Sequence, residues 1–144
     1  MMHPFKFYVE SSLVKNCSPD PGEAKAMMSR AIKRLEYITA QKIDENNASF
    51  LFEDIYEAMR ESIHGIMVKR GYKPYSHEAT VAFLEEFYRN FFGEKLVADF
   101  NRYRIMRNNI MYRASYVNEE ETKKALISAE KFVEKADSVL KSGL

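Results

Sequence analysis

Cysteine, glycine and proline are all scarce in this chain: one, five and four among 144 residues. With Cys17 alone there can be no internal disulfide and no cysteine-based metal cluster, which fits a reducing compartment. So few glycines and prolines argue against a turn-dense, many-stranded β protein. Long apolar runs are missing too. The longest, Val81 to Leu84, falls far short of the roughly 20 residues that span a bilayer. The start, Met1-Met2-His3-Pro4-Phe5-Lys6, lacks a basic head followed by an apolar stretch of signal-peptide length. The chain therefore reads as cytoplasmic, with no membrane partner. Nor is there an excess of one charge. Lys plus Arg number 22 against 21 for Asp plus Glu, a net of +1. That balance excludes a uniformly basic nucleic-acid wrapper and an acidic solvating tail, although it leaves room for a local patch.

What is present suits one helical domain. Hydrophobic residues make up 46% and charged residues 30%, enough for a core and for a solvated surface. Asp20-Pro21-Gly22-Glu23 has the order of a helix start: an acceptor, a proline suited to the first turn, then a capping-box acid. Ala24, Met28, Ala31, Leu35 and Ile38 then recur at helical spacing, and the helix is expected to reach about Ile43. A second helix runs from about Ala48 to Arg70, with Phe52, Ile55, Met59, Ile63 and Met67 as its stripe and Gly71 as its stop. Tyr72-Lys73-Pro74-Tyr75 reads as a loop. Ser76 caps a third helix, Gly93 breaks it from a fourth, and Asn118-Glu119-Glu120-Glu121 opens a fifth. About five helices with short joints predict an all-α, up-and-down antiparallel helical bundle over residues 20–144. Residues 1–19 form a leader that reads as a short helix or an extended flap; its aromatics Phe5, Phe7 and Tyr8 suggest that it covers an apolar surface.

The most informative window is Phe100 to Val117. It holds Arg102, Arg104, Arg107 and Arg113 and no acidic residue. Arginine offers a planar fork of donors to phosphate and stays charged at physiological pH. In a helix Arg104 and Arg107 share a face, with Asn108 beside them and Tyr112 about a turn further on. The cluster could hold an RNA backbone or a nucleotide phosphate. The competing reading pairs these arginines with Glu53, Asp54, Glu57 or Glu85 on adjacent helices. His64 reads as a polar residue near a helix end and His77 as a helix-start residue that bonds locally; His3 belongs to the leader. Three scattered histidines predict no metal site, and no P-loop or dinucleotide fingerprint calls for a cofactor.

Arg107-Asn108-Asn109-Ile110-Met111-Tyr112-Arg113, followed by Ala114-Ser115-Tyr116-Val117 and an acid-led helix, resembles the C-terminal half of a HEPN domain. The helix with Phe52, Tyr56, Ala58 and His64, then Gly71, then Tyr75-Ser76-His77-Glu78, is similar to small stand-alone archaeal and bacterial members. The resemblance covers roughly residues 24–140. It implies a helical bundle that forms a homodimer, with RNA or a nucleotide as ligand. It also implies metal-independent ribonuclease activity, as in toxins paired with a minimal nucleotidyltransferase antitoxin. Arg107 would steady the phosphate. The family's motif ends in histidine, and here that position holds Tyr112, a phenol that is protonated at neutral pH and a poor general base. The expected site is thus Arg107 and Tyr112 for catalysis, with Arg104, Asn108 and Arg113 as further phosphate or RNA contacts. The alternative function is a non-catalytic interaction module whose arginine-rich turn docks a protein partner.

Overall fold

The start signals legible in the sequence are where the long helices begin. The computed structural model describes residues 2–143; Met1 and Leu144, the outer ends of the two expected segments, lie outside the described residues. Six helices and two short strands follow in the order α1 (Phe5–Glu10), β1 (Val14–Asn16), α2 (Pro21–Thr39), α3 (Ala48–Lys69), β2 (Tyr72–Pro74), α4 (His77–Phe92), α5 (Glu94–Arg113) and α6 (Glu119–Ser142). Asp20 Oδ1 accepts from the Glu23 amide at 3.0 Å, Ser76 Oγ from Ala79 at 3.3 Å, and Asn118 Oδ1 from Glu121 at 2.8 Å. Each bond satisfies a backbone donor that the first helical turn leaves open, worth about 1 kcal/mol. The architecture is the expected all-α bundle.

The first long helix ends earlier than its apolar spacing predicts, at Thr39 and not near Ile43. Side chains compete there with the helix ladder. Asp44 Oδ1 accepts from the amides of Asn46 and Asn47, Asn47 Oδ1 accepts from the Asp44 amide, and Asn47 Nδ2 donates to the Lys42 carbonyl. Such local bonds offer the backbone a turn in place of a helix. Ile43 is buried all the same.

α3 is the central element, and its buried residues lie on several of its sides. Ring contacts give its neighbours' directions. Phe52 meets Tyr103 and Tyr56 meets Phe100, so α5 runs antiparallel to α3. Tyr56 also meets His77, while the Arg70 guanidinium lies 4.3 Å from the Phe87 ring centroid. α4 therefore runs parallel to α3, the one sequential pair of long helices that does not form a hairpin. The link over residues 70–76 makes this possible, because it is extended and carries the chain back along α3 before α4 starts. Its β2 pairs antiparallel with β1 of the leader, Val14 opposite Pro74.

The leader is thus both a short helix and an extended strip, and it does cover an apolar surface. Phe5, Tyr8 and Val14 are buried, and the Phe5 ring packs edge-on against Tyr72, Phe83 and Phe87. Among the described residues no helix is long and apolar enough to cross a membrane.

Candidate functional site

α5 outruns the core. Leu96, Val97, Asp99, Phe100 and Tyr103 are buried, and no residue of the helix beyond Tyr103 is. Phe100, Arg104, Arg107 and Met111 follow one another at helical spacing, so both arginines continue the line that Phe100 begins. That line leads across the bundle. Phe100 stacks on Tyr56 of α3 at 5.8 Å, and the Tyr56 hydroxyl lies 3.2 Å from Nδ1 of His77, the first residue of α4. Three helices meet at this ladder, with Arg104 and Arg107 one and two turns past Phe100.

The α3 side is polar. Arg60 Nε donates to both carboxylate oxygens of Glu57 at 3.1 and 3.2 Å, and Arg60 Nη1 lies 3.4 Å from His64 Nδ1. Glu57, Arg60 and His64 are spaced three and four apart, which puts them on one helix face.

The arginines of α5 do not take the acids offered by neighbouring helices. Asp54 pairs with Arg34, Glu57 with Arg60 and Glu85 with Arg89. Arg102 pairs within its own helix with Asp99 at 3.4 Å. Arg104 donates from Nε and Nη2 to Asn101 Oδ1, a neutral acceptor, at 3.1 and 2.9 Å. Arg107 is half-buried and makes no hydrogen bond or ion pair among the described residues. Asn108 is half-buried next to it, whereas Tyr112 and Arg113 are exposed, Tyr112 at 77%. At about 100° per residue Tyr112 lies roughly 140° around the helix from Arg107, and Arg113 roughly 120°. The structure brings Arg104 and Arg107 together and leaves Tyr112 and Arg113 apart from them.

Burial and positive neighbours set the protonation states. Burial first, then Arg60, Arg107 and Arg104, hold His77 below the usual imidazole range, against an opposing pull from Glu57. Burial, Arg60 and Lys73 bring His64 down to about 4. Burial raises the Tyr56 phenol despite the three arginines near it. At neutral pH both imidazoles are uncharged and Tyr56 keeps its proton. The Tyr56–His77 pair then has two forms: the phenol donates to Nδ1 and Nε2 carries the ring proton, or Nδ1–H donates to the phenol oxygen and Nε2 offers a lone pair.

Tyr56, Arg60 and His77 were not legible as site residues. Tyr56 and His77 are 21 positions apart in sequence, and the parallel course of α4 that joins them has no local signal. Concave surfaces lie elsewhere, one between α2 and α6 floored by Leu35 and Val133, another between the leader and α4–α5. Among the described residues no group of three or more His, Cys, Asp and Glu is arranged to hold a metal ion. No family model, curated protein or solved structure matches this chain.

Proposed function

We propose that this chain binds RNA or a nucleotide phosphate through the arginine face of α5, as its resemblance to the HEPN domain implies. The observation that carries the reading is Arg107. A half-buried guanidinium with no carboxylate or hydrogen-bond partner among the described residues lies within electrostatic reach of a neutral imidazole and a protonated phenol. Arg104, held by a neutral amide, leaves a second charge uncompensated. Charge concentrated in this way favours an anion, and arginine forks suit phosphate oxygens.

Metal-independent RNA cleavage, a homodimer and a minimal nucleotidyltransferase antitoxin are the finer parts of the same proposal, and they rest on the resemblance. Cleavage would draw on His77 for proton transfer, since it is the imidazole within electrostatic reach of Arg107. Tyr112 lies on another side of the helix.

A second reading, docking of a protein partner, is favoured by one observation. Ile105 and Tyr112 are 46% and 77% exposed and lie on one face of α5, two turns apart, and exposed apolar side chains that share a face mark interaction surfaces.

Polarisation of a labelled, 5′-hydroxyl single-stranded RNA separates the readings. Binding is expected to weaken about tenfold or more in Arg107→Gln, the loss of one charge-assisted contact. Cleavage, assayed with a chelator present, is expected to disappear in both Arg107→Gln and His77→Gln. Wild-type protein that neither retains nor cuts RNA would exclude the RNA reading and leave the docking surface.

A further inference from the structure

Three guanidiniums and one carboxylate act on the charge of His77. Arg60 and Glu57 come from α3, Arg104 and Arg107 from α5. On its own helix the next residue is Glu78, whose carboxylate accepts from the Tyr8 hydroxyl of α1 at 2.6 Å. Lys73 of β2 faces the neighbouring His64. Glu57 is bound to Arg60, so Arg104 and Arg107 remain as two positive charges without a carboxylate. Two surplus charges match a phosphate monoester, which carries close to −2 at neutral pH. A bridging phosphodiester brings only one.

The ring itself is held in place. Tyr56 engages Nδ1, and Phe100 stacks behind Tyr56. Nε2 is the ring nitrogen left for a ligand. As the first residue of α4, His77 also sits at the positive end of that helix dipole.

We propose that the junction of α3, α4 and α5 is a proton-linked binding site for a terminal phosphate monoester, with Arg104 and Arg107 on the phosphoryl oxygens and His77 taking up the proton. The inference rests on the phosphate-binding reading above and narrows its ligand. In the empty site a charged imidazole would add a cation to three others, so the ring stays neutral. A bound dianion cancels that repulsion, and the imidazolium then donates Nε2–H to a phosphoryl oxygen. A diester compensates only part of it. The monoester can belong to a free nucleotide or to the 5′ end of an RNA; the recognising chemistry is the same.

Inorganic sulfate is the first probe, because it stays a dianion while imidazole titrates, between about pH 5 and 8. Proton uptake on binding means that affinity rises as pH falls, and is lost as pH rises through the ring's value in the complex. The gain is about tenfold for each unit by which bound and free values differ. The His77 ring signals should move to a higher titration midpoint with sulfate present. His77→Gln should flatten the pH dependence, His64→Gln should preserve it, and Arg107→Gln should weaken sulfate at every pH. Sulfate affinity that is independent of pH in the wild type, or a dependence removed by His64→Gln and kept in His77→Gln, overturns the proposal.

The second arm compares a nucleoside 5′-monophosphate with its methyl diester, and a 5′-phosphorylated RNA with the 5′-hydroxyl RNA of the same sequence. Preference for the monoester in either pair supports the site and identifies its source. Equal binding within both pairs overturns it. If the 5′-hydroxyl RNA binds as well as the phosphorylated one, with no pH dependence, the RNA reading survives and the monoester site does not. If neither RNA nor nucleotide binds at all, the broader reading has failed on its own.

Discussion

Gly71 and Gly93 have nearly the same backbone angle, φ of +87° and +88°, yet their surroundings differ. A Cβ on Gly71 would stand 2.8 Å from the Cys17 carbonyl oxygen, while one on Gly93 would meet nothing within 4 Å. Alanine at either position carries backbone strain of about 1–3 kcal/mol. At Gly71 it must also push the leader away and disturb the bond from the Cys17 amide to the Gly71 carbonyl. Gly71→Ala should therefore lose clearly more stability than Gly93→Ala in urea denaturation; equal losses would contradict the contact. Asp99 gives a residue-scale prediction in pH. Burial would raise its carboxyl, but hydrogen bonds from Lys95 and Ser128, with Arg102 adding to them, outweigh burial and hold it below the usual carboxylate range. Its contribution is present above the unfolded value of about 3.9 and is lost as pH falls through the lower folded value. The stability gap between wild type and Asp99→Asn should narrow in that acid window, and a gap constant from pH 5 to pH 2 would argue against it.

Helix starts were the most legible elements, because capping is a local matter: Asp20, Ser76 and Asn118 each bond an amide three residues on. The end of α2 was less so, since side chains at Asp44 and Asn47 outbid an apolar pattern that continues to Ile43. The leader was legible as a short helix or flap covering an apolar surface, but its partners Tyr72, Phe83 and Phe87 were not, because they lie far along the chain. The proposed site divided in the same way. Arg104 and Arg107 could be read from one helix, whereas His77 enters through the parallel crossover over residues 70–76, and Tyr112 was placed by motif counting on a face that the helix turns away. The leader's importance can be measured. Phe5 is a fully packed core residue despite its place near the chain's start, so Phe5→Ala should cost about 3–5 kcal/mol, as for a buried phenylalanine elsewhere. A loss below about 1 kcal/mol would show that α1 detaches from the bundle in solution.

At the scale of the whole molecule the balanced charge becomes a quantitative constraint on binding. Part of the charge is taken up in ion pairs, among them Arg34 with Asp54, Arg60 with Glu57 and Arg89 with Glu85, whereas Arg104 and Arg107, in the second half of α5, have no carboxylate partner among the described residues. An RNA held there meets few cations: Arg104, Arg107 and the Glu57-bound Arg60 of α3. Each phosphate neutralised on a single strand contributes about 0.7 to the slope of log affinity against log salt, so three contacts predict a slope near −2. Raising salt from about 50 to 200 mM should then weaken binding roughly 20-fold, whereas a protein with 6–10 phosphate contacts loses about 10³–10⁵. Arg107→Gln should make the slope shallower by about 0.7, while Lys33→Gln, on the exposed side of α2, should leave it unchanged. A slope much steeper than −2 would mean that RNA runs beyond α5 onto other surface cations. A slope indifferent to Arg107→Gln would take the ligand off α5 altogether, and with it the reading of the unpaired guanidinium as a phosphate site.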